Sequence, residues 1–462
     1  MLRTLAVVFA MIISVALSGQ ELRDLTVEGR SDAMFIETDK PHFSWRILGK
    51  KNVVQTAYRI TVSSSADSLK SGVADVWDSG FVLADSTCVA YGATTDTSGV
   101  CKTLQQGRKY YWQVEVQTNK RKKLLTSIGA FSTSMLGKPI TVSAMIAYNG
   151  LIPDGEVEER LGKHIKLIGR YLRKTFSTDK FISRATTYVA GPGGYILYIN
   201  GHQVSEPLAG LLKGEDGVIT YDAYDITDYV TADNVFAAVL GTGNHYANDT
   251  AFVYAHEHAY SFPQFFANIV IEYTDGTKDV IATNNSWKLN TSGPICYSAG
   301  LDGECYDARK EFGAWTTTEY NDSAWTNAEL LLWPKTKMKV NEGPNLHVNA
   351  VEKPLTLTQT GSKYIADFGT EVTGRVRVMA NVNKGDTITI RHAKSVNDDG
   401  TQLDTSSLNG YDATVYYISN GEPVSYAPDF TLLNFRYVEL SLPEGRTDFE
   451  IERDVITSKE VH

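Results

Sequence analysis

Between Leu25 and Thr133 apolar and polar residues alternate in short runs, "HFSWRI", "AYRITVSS", "VWDSGFV", "YYWQVEVQT" and "IGAFSTS", set apart by turn-forming residues. A period of two sends successive side chains to opposite faces, so each run predicts a half-buried β-strand. In "YYWQVEVQT", Tyr110, Trp112, Val114 and Val116 share one face while Tyr111, Gln113 and Glu115 share the other. One sheet of a two-layer sandwich requires that division.

The pattern changes over residues 138–170, where Val157, Leu161, Ile165, Ile168 and Leu172 recur at helical spacing and predict one helix. Strands resume at "YLRKTF" from Tyr171. In "GGYILYINGHQVSE", "YILYI" faces "HQVSE" across Asn200-Gly201, a dipeptide suited to the positive φ angles of a tight hairpin. "NVFAAVLG", "FFANIVIEY" and "DVIATNNSWKL" continue a second sandwich of jelly-roll type, and Pro334 to Pro354 forms a polar connector. From Val351 onward, "YIADFG", "GRVRVMANV", "GDTITIRHA", "ATVYYIS" and "FRYVELSL" are again strand-like. The expected fold class is all-β, a set of tandem β-sandwiches: a fibronectin type III-like module at 22–136, a jelly-roll, carbohydrate-binding-like module at 137–335, and a third β-sandwich at 350–460.

A chain of 462 residues is longer than one core needs, which agrees with three modules. Arg3 precedes an apolar run from Leu5 to Leu17 followed by Ser18, so residues 1–18 are expected to be a signal peptide. Export to the periplasm or the extracellular space follows from that expectation. No later segment is apolar enough to span a bilayer, so no membrane span is expected in the mature chain. With a net charge of −10, the chain lacks the basic excess that attracts phosphate backbones, and nucleic acid is not an expected partner. The basic run Asn119 to Lys123 lies between two strand patterns and reads as a solvated hairpin tip. Cys88 with Cys101, and Cys296 with Cys305, are pairs close in sequence, each available for a local disulfide in an oxidising compartment. Neither pair has the spacing of a zinc knuckle.

The order of segments carries more information than any one of them. "AYRITV", "VWDSG" and "YYWQVEV", then "LRKTF", "GGYILYINGHQV" and "YDAYDIT", then "GECYDAR", then "DFGTEVTGRVRV", "GDTITIRHA" and "FRYVEL" together resemble the front half of bacterial α-L-rhamnosidases, glycoside hydrolase family 78. The resemblance covers nearly all of the mature chain. It implies that residues 350–460 form a concanavalin-like β-sandwich of rhamnosidase type, and that rhamnose-containing polysaccharide or glycoside is the partner. It also implies that catalysis belongs to an (α/α)6 barrel that follows the β-modules. "PDFTLLNFRYVELSLPEG", residues 428–445, then reads as the close of the last module. No helical period follows Arg446, so the acid and base of an inverting hydrolase are expected to lie outside this chain. Relatives usually carry "DFGQN" where this chain has Thr370 and Glu371, and an acidic residue where it has Lys394. Val415 stands where they often carry aspartate. The alternative to a hydrolase fragment is a stand-alone rhamnose- or glycan-binding protein.

Sugar sites in β-modules combine an aromatic face with amides and carboxylates that bond paired hydroxyls. The loop "GTGNHYANDT" offers His245, Tyr246, Asn248 and Asp249 for such a site, and Asn248 and Asp249 supply the hard oxygens that calcium prefers. No cofactor is demanded by the sequence, and calcium is the one metal this loop suggests. Its plain alternative is a polar turn stabilised by Asn and Asp. His256 and His258 in "YAHEHAY" would share one face of a strand, but no third zinc ligand is identifiable and exposed strand residues are the better reading. Glu304, Asp307 and Arg309 in "GECYDARKEF" are expected to form an internal ion pair that pins a loop.

Overall fold

The computed structural model describes residues 21–31, 33–48, 52–93, 100–120, 123–138, 143–147, 166–205, 209, 218–242, 263–331, 337–341 and 345–459. The chain forms two compact units, one ending at Leu136 and the other running from Gly137 to Val461. The predicted signal peptide, most of the predicted helix and the residues His245, Tyr246, Asn248, Asp249, His256 and His258 lie outside the described residues.

In the first unit a three-stranded sheet orders Glu21–Val27, His42–Leu48 and Cys88–Ala90. The other sheet runs Ala33–Ile36, Gly129–Thr133, Lys109–Thr118, Gln55–Ser63 and Trp77–Asp78. Lys109–Thr118 alternates as its sequence predicts, with Tyr110, Trp112, Val114 and Val116 buried. These side chains meet Phe43, Trp45, Trp77 and Phe131 in one core. Gln117 pairs with Lys123, so the basic run does turn a hairpin.

The second unit begins with two more sheets. His202–Gln203, Tyr195–Ile199, Asp233–Leu240, Arg170–Ser177, Lys288–Asn290 and Thr326–Asn327 form one. Lys278–Ala282, Phe266–Tyr273, Ile182–Ala190, Val218–Asp225 and Lys337–Val340 form the other. Between them lie Leu172, Val189, Leu197, Phe236, Ile269 and Trp287. The Asn200-Gly201 hairpin forms with φ of 49° and 85°, both in the left-handed region such a turn demands. Leu172, expected at the end of a helix, is instead in a strand. Residues 170–173 are buried on both faces of their sheet, so the two-residue alternation is lost there and a helical spacing is mimicked.

The third sheet is built around Lys363–Ala380, an 18-residue strand with a register break between Asp367 and Val372. Its first part pairs with Thr356–Thr360 and Leu433–Ser441, and its last part with Phe449–Lys459 and Val424–Tyr426. Along "GRVRVMA", Val376 and Val378 enter the core while Arg375 and Arg377 face away from it. Ile295–Ser298 and Glu304–Asp307 precede this module in sequence but belong to its sheet, since Cys305 to Asp307 pair in parallel with Tyr416 to Ile418. The second and third modules are therefore stitched by backbone hydrogen bonds within one unit. No helix among the described residues is long and apolar enough to cross a membrane.

Candidate functional site

Part of the outer face of the six-stranded sheet of the second module is covered: Tyr171 and Arg173 are buried there, while Thr175 and Ser177 further along the same strand are exposed. Tyr171 pairs with Val239 across neighbouring strands, and Ile196 pairs with Val239 on the other side, giving an apolar row with Tyr198 two residues further along its strand. A loop over residues 311–325 covers this row. Buried Arg173 holds the loop, donating to Asp322 Oδ2 at 2.6 Å and to the carbonyls of Thr317 at 2.9 Å and Tyr320 at 3.2 Å. Removing that guanidinium would leave a half-buried carboxylate and two carbonyls without their donor, so the loop is fixed by charge as well as packing.

Between sheet, loop and third module remains a cavity of about 200 Å³, lined by Tyr171, Tyr198, Tyr306, Phe312, Trp315, Glu311 and Asp429, with Val239, Pro294, Ile295 and Gly313 completing its wall. The Trp315 ring stands edge-on to Tyr171 at 82° and to Tyr198 at 70°. Behind it Trp315 stacks on Trp325, with centroids 5.8 Å apart. Tyr171 accepts the Ile295 amide at 3.0 Å, and the Tyr306 hydroxyl donates to Glu311 Oε1 at 3.0 Å. Burial, reinforced by the Asp429 charge, pushes the Tyr198 phenol up, so it remains a donor at any ordinary pH.

Asp429 reaches the cavity because Glu304 holds its segment. Glu304, fully buried, accepts the Tyr426 hydroxyl at 2.7 Å, the Asp429 amide at 3.2 Å and the Phe430 amide at 2.9 Å. Burial and then the Asp429 charge push the Glu304 carboxyl up to about 7. Arg375, which bonds Asp454 at 2.8 Å, also donates to the Pro428 carbonyl at 3.2 Å. Burial raises the Asp429 carboxyl, and the positive charges of Arg375 and Arg377 pull it back. Both Asp429 and Tyr198 are half-buried, and no hydrogen bond within the described residues occupies the Asp429 carboxylate or the Tyr198 hydroxyl.

Asp307 does bind Arg309, through Nε at 2.8 Å and Nη2 at 2.9 Å, but the pair is not the internal one expected, because Arg309 is exposed and lies only two residues away. Glu304 is not part of it and instead ties the end of the second module to a strand lead-in more than a hundred residues away. Thr370 and Glu371 lie on the long strand, and Glu371 forms an ion pair of 2.8 Å with Lys394, so two of the departures from the family pattern compensate one another. Val415 is a core residue. Cys88, Cys101, Cys296 and Cys305 are free thiols. Cys296 and Cys305 occupy paired strands, and Cys296 is held down to about 6 by the Cys305 thiol and by Lys310, whose Nζ is 3.3 Å from its sulfur. No group of three or more His, Cys, Asp or Glu is placed to hold a metal among the described residues. The cavity itself was missed by sequence reasoning. Its one local signal is "EFGAWTTTEYNDSAW", where aromatic residues fall at no strand period.

Residues 22–137 match the Rha78A-like N-terminal immunoglobulin domain, residues 180–350 the α-L-rhamnosidase N-terminal domain, and residues 358–462 the bacterial α-L-rhamnosidase concanavalin-like domain. An α-L-rhamnosidase of Formosa agariphila is 26% identical over 94% of this chain and 47% of its own length. Another from Streptomyces avermitilis is 32% identical over 57% of this chain and 26% of its own. Among solved structures, the α-L-rhamnosidase of Dictyoglumus thermophilum superposes with a TM-score of 0.83 at 29% identity, covering 95% of this chain and 49% of that one. The chain spans about half the length of the first of these curated relatives.

Proposed function

We propose that this chain, which belongs to the bacterial α-L-rhamnosidases through their N-terminal β-modules, is the non-catalytic front part of an exported enzyme that releases terminal α-L-rhamnose from glycans. The observation that carries this reading is the succession of three rhamnosidase domains in order along one chain, spanning about half of its relatives. Export is supported by Arg3 and the apolar run from Leu5 to Leu17, and cell fractionation that found the protein in the cytoplasm would remove it. In this reading the β-modules do no bond-breaking themselves, and the general acid and base come from residues beyond them.

One observation favours a second reading. Two carboxyl groups, Glu311 and Asp429, line a sugar-sized cavity, and burial raises one of them, as a general acid requires. Against it, Glu311 is solvent-exposed and already accepts the Tyr306 hydroxyl, and Asp429 lies in the field of two arginines. Incubating the purified chain with an aryl α-L-rhamnoside separates the two. The first reading expects no release above the uncatalysed rate; turnover that disappears in Glu311→Gln or Asp429→Asn would install the second.

A further inference from the structure

The aromatic cavity has the chemistry of a receptor for one small, neutral, hydroxyl-bearing ring. We propose that it binds a single pyranose, the terminal residue of a glycan, with Trp315 and Tyr171 packed against the C–H face of the sugar and Asp429 and Tyr198 bonded to its hydroxyls. At about 200 Å³ it falls below the roughly 300–1,000 Å³ of sites for larger ligands, a volume that one ring fills while the rest of a chain stays outside. Its aromatic walls meet nearly at right angles, at 82° and 70°. A flat heterocycle needs two parallel walls to stack between; a puckered ring, thick and covered with C–H bonds, fills a corner.

The polar groups fit the same occupant. The Asp429 carboxylate and the Tyr198 hydroxyl, one an acceptor and one a donor, border the cavity from two half-buried residues, and no hydrogen bond within the described residues occupies either. Half-buried and open to the cavity, both groups are free to exchange water for a ligand, and adjacent hydroxyls of a sugar bond both at once. The Tyr306–Glu311 pair supplies a further carboxylate oxygen at the rim. An anion is excluded by the two carboxylates. A quaternary amine would find aromatic faces here, but Arg375 and Arg377 already offset the charge of Asp429 and oppose a third cation. The cavity is formed by both modules of the second unit, because the loop, Tyr171 and Tyr198 come from one and Asp429 from the other. Neither module would bind alone.

That the sugar is L-rhamnose rests on the proposed function; that it is a neutral pyranose rests on the cavity. Isothermal titration of the whole chain with L-rhamnose, D-glucose, D-galactose and tetramethylammonium distinguishes them. We expect saturable binding of L-rhamnose on the order of 1 mM. Tyr198→Phe, which keeps the ring and loses one hydrogen bond, should weaken it roughly 2- to 10-fold. Trp315→Ala should abolish it, and the near-ultraviolet circular dichroism of both variants reports whether the fold persists. Binding of another of these sugars but not rhamnose would keep the site and remove the rhamnose assignment. Binding of tetramethylammonium alone, absence of any pyranose binding far above the millimolar range, or binding indifferent to Tyr198→Phe in a folded variant would overturn the proposal.

Discussion

Glu304→Gln tests how the two modules of the second unit are held together. The carboxyl is fully buried, and burial together with Asp429 raises it from an ordinary 4.5 to about 7. A folded pKa above the unfolded one means that the native state binds the extra proton between pH 4.5 and 7, so stability is full below 4.5 and falls as pH rises through about 7. At 1.36 kcal/mol per unit this amounts to about 3 kcal/mol, and because the group is dry no screening by solvent reduces it. For a unit of this size that corresponds to a melting temperature lowered by about 5 °C between pH 5 and pH 8. Asp429, raised by the same burial, acts in the same direction. The glutamine keeps an acceptor for Tyr426 but opposes its amide to one of the two backbone N–H groups, so it should cost about 1–2 kcal/mol at pH 5. At pH 8, where the wild type carries a buried charge, the variant should equal or exceed it. Differential scanning calorimetry of both proteins from pH 5 to 8 is the assay, and the quantity of interest is the difference between their slopes. Parallel slopes would refute the reasoning, for then Glu304 titrates alike in folded and unfolded chains and does not serve as a dry clamp.

Two more outcomes follow from the same region. With its thiol held down to about 6, Cys296 should be mostly thiolate at pH 7 and react with iodoacetamide well before Cys305, whose thiol is pushed up; Lys310→Ala should move the reactive midpoint towards the ordinary thiol value, and equal labelling rates of the two cysteines in mass spectrometry would exclude this. A Cβ on Gly241 would lie 2.2 Å from the ring of buried Phe430, so Gly241→Ala should destabilise the second unit by about 1–3 kcal/mol in urea unfolding, with Phe430→Leu restoring part of it; an unchanged midpoint would show that the ring moves aside freely.

What the sequence determined by itself is what local physics determines. "YYWQVEVQT" and "GRVRVMA" alternate because one side of each strand is dry, and Asn200-Gly201 turns because those residues tolerate positive φ. The order of such segments over four hundred residues was enough to point to the rhamnosidase family. Where both faces are buried, as at residues 170–173, the alternation vanishes, and Leu172, read as the end of a helix, lies in a strand. Only the tertiary structure decided that the strands from Ile295 to Asp307 join the following module, that Glu371 meets Lys394, and that Glu304 holds Asp429 beside Tyr171, Tyr198 and Trp315. These residues are brought together across separations of up to more than two hundred positions by sheet pairing and core packing, and a residue's neighbours in sequence carry no trace of partners that distant.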